Sequence, residues 1–257
     1  MSFLEVNKMT KFFGGLAAVL EFDMHVGQGQ IFGLIGPNGA GKSTVLNTID
    51  GTIQPSQGEI IFAGAEITKL PPHRRSQRGI ARVFQENLFF GSFTVLDNVR
   101  VGYHLQSKIG FSSIFLNTSS NRETEKALKQ KALDVLQFVG LAENASDTAV
   151  TLPHGRQRLL CLAIALATGP QLLLLDEPIT GMNAEEVETM LGIIRDVREK
   201  KGITCIIIEH NLKAVMGLCD RIAVLNFGLK IADGTPKEIA ENPAVIEAYL
   251  GTEEDAA

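Results

Sequence analysis

The feature that most constrains this chain is a glycine-rich stretch of nine residues, Gly36-Pro37-Asn38-Gly39-Ala40-Gly41-Lys42-Ser43-Thr44. It matches the pattern G-x-x-x-x-G-K-[ST] and lies between an apolar run, residues 31–35, and a segment that can start a helix, residues 43–49. In that setting the glycines let successive backbone N–H groups point at one anion, and the helix N-terminus adds its dipole. The pattern therefore predicts a nucleotide phosphate loop, with Lys42 reaching the β- and γ-phosphates and the Ser43 hydroxyl binding Mg²⁺.

Charge, apolar segments and cysteines of the 257-residue chain argue against several classes of protein. With 24 basic and 29 acidic residues the formal net charge is −5, so no general basic surface indicates nucleic-acid binding. The longest apolar run, residues 159–167, is well short of the roughly 20 residues that span a bilayer, and the N-terminus does not resemble a signal peptide. The cysteines lie in apolar surroundings without paired spacing, which indicates buried thiols of a reducing compartment. Any membrane role is therefore expected to come through a partner.

Three further apolar runs end in polar side chains. Gln85 follows residues 80–84, Asp176 and Glu177 follow residues 172–175, and Glu209 and His210 follow residues 203–208. Continuous apolar runs are typical of parallel strands covered on both faces, and open parallel sheets bind ligands at the carboxyl ends of their strands. We therefore expect these polar residues to gather around the same nucleotide as the phosphate loop.

Each polar residue has a predicted role. Asp176 is expected to hold Mg²⁺ through its water shell, and Glu177 to orient or deprotonate the water that attacks the γ-phosphate. Gln85 offers an amide oxygen to the metal, and His210 can bond the γ-phosphate or order that water. Phe13 can stack on a nucleotide base, since every base has a π-face. Taken alone, Gln85, His210 and Phe13 fit structural roles better, and the acidic pair also fits a solvated loop.

The remaining segments predict one α/β domain with a β-rich N-terminal edge and a helical insertion. Residues 1–30 resemble short strands. The aromatic-rich residues 88–93 fit either the core or a docking groove for a partner's helix. A serine-rich stretch, residues 105–126, is predicted to be a surface insertion, and an apolar stripe follows at residues 128–139. Asn183 is predicted to cap a helix.

In their order along the chain, these motifs resemble those of ABC-transporter ATPase subunits, and the likeness covers nearly the whole chain. The matching positions are the aromatic Phe13, the phosphate loop, the glutamine loop at Gln85, the signature region Leu152-Pro153-His154-Gly155-Arg156, the acidic motif at residues 172–177 and the switch histidine His210. The resemblance implies a P-loop NTPase core with a parallel sheet, about residues 1–85 and 160–230. It also implies a helical subdomain at about 86–159 and a C-terminal tail at about 231–257.

Within that family the chain is most similar to the ATPases of branched-chain amino-acid importers and their urea and amide relatives. The similar stretches are residues 81–85, the serine-rich insertion, residues 208–211 and the tail. This implies a subunit that binds and hydrolyses ATP with Mg²⁺ at the cytoplasmic face of the membrane. Its expected partners are transmembrane permease subunits, a second ATPase subunit and, indirectly, a solute-binding protein.

Three alternatives stay open on the sequence. The tail is also similar to that of lipopolysaccharide-export ATPases, so an exporter is the first alternative. The others are a soluble ABC-type ATPase of translation or DNA repair and a nucleotide switch with little turnover. A second cassette or a long coiled-coil insertion, which the soluble proteins usually carry, is not present in the sequence.

The signature region departs from the family pattern L-S-G-G-Q, which contacts the γ-phosphate held by the opposite subunit. Pro153 replaces the serine and lacks both its hydroxyl and its N–H, while His154 and Arg156 replace a glycine and the glutamine. Gly155 is retained, and Pro153 is predicted to be the first residue of a helix. The hypothesis is that this chain pairs with a different ATPase carrying a standard signature. The alternative is that Arg156 supplies the missing phosphate contact.

Overall fold

The computed structural model describes residues 2–104 and 119–250, over which strands and helices alternate. The strands are β1 Leu4–Phe13, β2 Leu16–Val26, β3 Ile31–Ile35, β4 Gln57–Phe62, β5 Ala65–Glu66, β6 Ile80–Val83, β7 Leu172–Asp176, β8 Thr204–Ile208, β9 Arg221–Asn226 and β10 Leu229–Gly234. The helices are α1 Lys42–Asp50, α2 Pro72–Gln77, α3 Val95–His104, α4 Ser119–Phe138, α5 His154–Ala167, α6 Ala184–Lys201, α7 Leu212–Leu218, α8 Pro236–Ala240 and α9 Pro243–Leu250.

The strands form two sheets. The larger sheet has the order β10-β9-β3-β8-β7-β6; its last five strands run parallel, and β10 pairs antiparallel with β9. The smaller sheet has the order β2-β1-β4-β5 and is antiparallel throughout. The predicted α/β class with a parallel sheet is confirmed. The predicted N-terminal β edge is a separate antiparallel sheet.

The larger sheet is covered on both faces, as its continuous apolar strands predict. On β3, Ile31 and Ile35 belong to the hydrophobic cluster that includes residues of α5, α6 and α7. Phe32 and Leu34, which alternate with them, belong to the cluster that includes α1 and the smaller sheet. Helix α1 therefore lies between the two sheets, and the loop before it is held at the carboxyl edge of the larger sheet.

Helices α3, α4 and α5 pack against one another in the region of the predicted helical insertion. Close approach of α3 to α5 depends on Gly102, because a Cβ there would lie 2.6 Å from the Ile164 carbonyl oxygen. The predicted stripe at residues 128–139 is confirmed, since Ala132, Leu136 and Val139 are buried. Of the predicted surface insertion, residues 119–126 are helical and begin α4, and residues 105–118 lie outside the described part.

Several local predictions can be compared with the structure. Asn183 caps α6 in a capping box with Glu186, as predicted. Pro153 is the N-cap of α5 rather than its first helical residue. The three cysteines are buried free thiols, and burial raises the pKa of Cys161 to about 11. Within the described residues, no helix has the length and apolar character needed to cross a membrane.

Candidate functional site

The phosphate loop takes a backbone path that only glycine allows at two positions. Gly36 has φ +148°, and a Cβ there would lie 2.0 Å from the Leu225 carbonyl oxygen. Gly41 has φ +105°, and its Cβ would lie 2.6 Å from the Ala18 carbonyl oxygen. Because L side chains rarely adopt these angles, both glycines are required by the fold of the loop. The loop therefore leads directly from β3 into the N-terminus of α1.

Lys42 lies inside this loop, with 6% of its surface exposed. Its Nζ donates to the carbonyl oxygens of Gly36 at 2.8 Å and Pro37 at 2.9 Å. Burial lowers the pKa of the Lys42 ammonium, while the negative charges of Glu177 and Asp176 act in the opposite direction. An ammonium bonded only to neutral carbonyls is suited to exchange them for phosphate oxygens, which pair with it more strongly.

A cavity of about 210 Å³ opens at the loop. It is lined by Ala18, by the loop residues Asn38, Gly39, Ala40, Gly41, Lys42, Ser43 and Thr44, and by Glu177 and His210. The four strands whose ends carry the predicted polar residues, β3, β8, β7 and β6, are neighbours in the sheet. The expectation that these strand ends meet at one edge is confirmed, and their assignment to a nucleotide site stays a prediction.

Glu177 is the point at which the polar side chains converge. Its Oε1 lies 2.8 Å from His210 Nε2, and its Oε2 accepts from Gln85 Nε2 at 3.0 Å and Thr180 Oγ1 at 3.2 Å. The backbone of Glu177 has φ +49°, and its N–H donates to the Ile208 carbonyl oxygen at 2.9 Å. Strained backbone of this kind persists where neighbouring contacts hold it and is frequent at functional sites. The carboxylate is thus fixed at the cavity and can accept a proton from a bound water.

Glu209 supports this arrangement through two backbone hydrogen bonds, although no role was predicted for it from the sequence. It is 2% exposed; its Oε1 accepts the Ile179 N–H at 2.9 Å and its Oε2 the His210 N–H at 3.3 Å. Burial raises the pKa of the Glu209 carboxyl to about 7. The two N–H hydrogen bonds act in the opposite direction, because they favour the charged form. Glu209 therefore links the loop after Glu177 to the backbone of His210.

Asp176 is held by a residue that the sequence analysis did not select. Arg82 Nη2 donates to Asp176 Oδ2 at 2.6 Å, and Arg82 Nη1 donates to Asp50 Oδ2 and Asn47 Oδ1. The sequence does show that Arg82 is a charged residue within the apolar run 80–84, and a charge in a covered strand needs a partner. The identity of that partner depends on the order of the strands in the sheet.

The predicted metal ligands fit Mg²⁺ in kind. The donors of Ser43, Gln85 and Asp176 are oxygens, and Mg²⁺ is commonly bound by one or two carboxylates together with water and substrate phosphates. Among the described residues there is no group of three or more His, Cys, Asp or Glu side chains that could form a protein-only metal cage. The donor set therefore suits a metal that arrives with a nucleotide.

Phe13 and the signature region do not line the loop cavity. Phe13 ends β1 with 49% of its surface exposed, and Lys11 Nζ lies 5.1 Å from its ring centroid. Pro153, His154 and Arg156 are exposed at the start of α5. Arg156 Nη1 donates to Asn144 Oδ1 at 2.8 Å. These positions are open to a ligand or a second chain, and their predicted roles are not decided by the contacts within this chain.

A second buried arginine joins α5 to the glutamine loop. Arg158 Nη1 donates to the backbone oxygens of Gln85 and, at 3.3 Å, Phe84. Beside it lies a cavity of about 320 Å³, here called the apolar groove, whose lining includes Phe84, Leu88 and Ile164. Leu88 is 56% exposed. Of the two interpretations of residues 88–93, core packing is therefore wrong for this residue, and likewise for Phe90 and Phe93, which are exposed.

Comparison with known proteins gives consistent similarities. A family model described as ABC transporter matches residues 19–180, and one described as branched-chain amino acid ATP-binding cassette transporter matches residues 230–255. The high-affinity branched-chain amino acid transport ATP-binding protein BraF of Pseudomonas aeruginosa is 40% identical, over 96% of this chain and 97% of BraF. The lipopolysaccharide export system ATP-binding protein LptB of Haemophilus influenzae is 30% identical, over 98% of each chain. A crystal structure of an ABC-transporter ATP-binding cassette in its ADP conformation superposes with a TM-score of 0.84 at 30% identity, over 98% of this chain and 100% of the other.

Proposed function

Because the chain belongs to the ABC transporter family as an ATP-binding, ATP-hydrolysing subunit, we propose that it powers the import of branched-chain amino acids or a related small polar solute. The observation that carries the catalytic part is the convergence of Gln85, Thr180 and His210 on the Glu177 carboxylate at the phosphate-loop cavity. The solute is inferred from the 40% identity to BraF and from the matching tail.

In the proposed mechanism the loop N–H groups and Lys42 bind the phosphates of ATP. Glu177 orients the attacking water and accepts its proton, and His210 holds the Glu177 carboxylate in place through the 2.8 Å contact. Ser43, Gln85 and Asp176 would hold Mg²⁺, which neutralises charge on the phosphate oxygens when bound. Phe13 stacks on the adenine base. Since Gln85 contacts Glu177, a change in the glutamine loop reaches the catalytic carboxylate directly.

The proposed partners follow from surfaces that this chain leaves open. A second ATPase subunit supplies a signature region to the γ-phosphate, and nucleotide binding closes the two subunits together. A helix of a membrane-embedded permease subunit docks near the apolar groove and residues 88–93, beside the glutamine loop. In this proposal the chain is held at the cytoplasmic face of the membrane by the permease subunits. A solute-binding protein contacts the permease and affects this chain only indirectly.

Replacing the two central residues tests the ATPase mechanism. We expect Lys42→Ala to abolish tight ATP binding. We expect Glu177→Gln to retain ATP binding and to trap the closed dimer. The same variant should slow phosphate release at least about 100-fold, the usual size of a general-base effect. The measurements are phosphate release and the oligomeric state with ATP. Glu188→Gln, an exposed charge loss on α6, is the matched control and should behave as the unmodified protein. Normal turnover of the Glu177→Gln protein would remove Glu177 from its proposed role.

Transport measurements separate import from export. The 30% identity to LptB makes lipopolysaccharide export the second candidate. Deleting the gene in its host should abolish uptake of labelled leucine, isoleucine or valine, and plasmid-borne unmodified protein, but not the Glu177→Gln variant, should restore it. Unchanged uptake together with defective lipopolysaccharide export would favour the second candidate.

A further inference from the structure

Arg82 is a largely buried basic side chain on β6, the edge strand of the larger sheet. Its side chain is 7% exposed, and the two carboxylates that it contacts, Asp50 and Asp176, are 11% and 10% exposed. One guanidinium therefore pairs with two carboxylates at a location where little of any of the three side chains reaches solvent. Such an arrangement is costly to bury, and replacement by apolar residues is often as stable. The cost of burial therefore favours a role for Arg82 beyond packing.

The guanidinium joins the two elements that would hold Mg²⁺–ATP. Asp50 is the last residue of α1, whose first residues are Lys42 and Ser43, and Asp176 is the last residue of β7. Arg82 Nη1 is directed to the α1 side and Nη2 to the β7 side. The planar fork of arginine can bond two acceptors in fixed directions, which the single ammonium of lysine cannot do.

We propose that Arg82 is a positioning residue that holds the Asp176 carboxylate for the metal. The inference relies on the proposed function, in which Asp176 is the acidic ligand of Mg²⁺. Arg82 binds Asp176 Oδ2 at 2.6 Å, whereas Asp176 Oδ1 accepts no hydrogen bond from any residue in the described part of the chain. One carboxylate oxygen is thereby anchored and the other is left for the metal or its water shell. Outer contacts of this kind orient a ligand, and their loss commonly costs 10- to 100-fold in metal affinity.

Arg75, another buried arginine at the C-terminal end of α1, makes the contacts of a purely structural residue. Arg75 is 1% exposed, and within the described residues its guanidinium donates only to backbone carbonyl oxygens, those of Thr48, Ile49, Thr68 and Leu70. It closes the C-terminal end of α1, and in the described part of the chain it makes no hydrogen bond to a side chain of the candidate site. Arg75 is therefore a control for the general effect of disturbing a buried guanidinium beside α1.

The test separates Mg²⁺ dependence from nucleotide binding itself. The probe is a fluorescent ATP analogue, titrated onto the full chain in EDTA and then at increasing Mg²⁺. We expect Arg82→Gln to raise the Mg²⁺ concentration at half-effect about 10- to 100-fold and to leave affinity in EDTA within about two-fold. Arg82→Lys should lose less, because it keeps one charged contact. Arg75→Lys should lower the melting temperature and leave the Mg²⁺ midpoint unchanged.

A double variant keeps the test decisive if Arg82→Gln does not fold. Asp50→Asn with Arg82→Gln removes one unpaired carboxylate along with the cation, and the same Mg²⁺ shift is expected because Asp176 still lacks its anchor. An unchanged Mg²⁺ midpoint in a folded Arg82 variant, or an equal loss of affinity with and without Mg²⁺, would overturn the inference. Failure of the unmodified chain to bind the analogue at all would instead contradict the proposed function.

Discussion

At the residue scale, the site is organised by how each carboxylate is surrounded. Glu177 is held by three hydrogen-bonding side chains, Asp176 by a guanidinium and Glu209 by two backbone N–H groups. The Glu177 carboxylate lines the loop cavity, which suits its proposed role in water activation. The Asp176 carboxylate is anchored at one oxygen, which suits its proposed role in metal binding.

Glu209 predicts a pH dependence of stability. Its folded-state pKa of about 7 lies above the ordinary value of 4.5, so the native state binds the proton more tightly than the unfolded state. The free energy of unfolding should therefore fall as pH rises from about 4.5 to about 7, by a few kcal/mol. Glu209→Gln stays neutral and can still accept the Ile179 N–H, so it should lack this decline. Urea unfolding at pH 5, 6, 7 and 8 measures the difference.

The control for this experiment is an exposed acidic residue. Glu188→Gln removes a solvated carboxylate from α6 and should leave the pH profile of the unmodified protein intact. If the Glu209→Gln and unmodified proteins had parallel profiles between pH 5 and 8, the buried carboxyl would not be the source of the pH dependence.

At the element scale, the start of α5 is packed against the start of α6. Gly155, in the first turn of α5, lies so close to α6 that a Cβ would be 2.3 Å from Glu186 Oε1. Glu186 in turn closes the capping box of α6, with Oε2 accepting the Asn183 N–H at 3.0 Å. The signature region and the loop that follows Glu177 are therefore in contact within one chain, through a carboxylate that has no room to move towards α5.

This contact predicts an interaction between two substitutions. Gly155→Ala should displace Glu186 and lose a capping bond, lowering the free energy of unfolding by about 1 kcal/mol. In a Glu186→Ala background the same change should be neutral or slightly stabilising, because alanine favours helix over glycine. Chemical denaturation of the four proteins gives the coupling energy. Equal effects of Gly155→Ala in both backgrounds would show that the two side chains do not compete for this space.

At the scale of the whole molecule, the loop cavity and the signature region occupy different parts of the surface. The cavity at the phosphate loop is lined by the loop, Ala18, Glu177 and His210, and the signature residues Pro153, His154 and Arg156 lie elsewhere on the surface. Arg156 is engaged with Asn144, so a contact with a second chain's nucleotide would compete with that bond. This separation supports the hypothesis that a partner with a standard signature completes the proposed ATP site.

Restoring the family signature tests that idea. The purified chain alone should hydrolyse ATP slowly, and the combined substitutions P153S, H154G and R156Q should raise its rate about 10- to 100-fold, as expected from restored donors to the γ-phosphate. The same substitutions with Lys42→Ala should show no increase. Phosphate release as a function of protein concentration measures both rate and dimerisation. Cooperative, full-rate hydrolysis by the unmodified chain alone would contradict the need for a different partner.

The sequence by itself determined the local features of this protein. A phosphate loop between strand and helix, the buried strands and the capped helix at Asn183 follow from short-range rules of backbone geometry and hydrophobic period, and each is present in the structure. The serine-rich segment shows the limit of such rules, because its composition indicated a surface insertion but not that residues 119–126 are helical. Most helical stability in proteins comes from the tertiary packing of one face, and the later turns of α4 bury Ala132 and Leu136 in the core.

Only the tertiary structure decided which side chains meet. Arg82 on β6 reaches Asp176 on β7 and Asp50 on α1 because the sheet order places β6 beside β7, a pairing between segments far apart in the chain. Glu209 supports the loop after Glu177 only because its side chain is buried and accepts the Ile179 N–H. The partners of buried charges depend on long-range packing, whereas the phosphate loop depends on consecutive residues. For this reason the loop could be identified from the sequence, but the supporting roles of Arg82 and Glu209 could not.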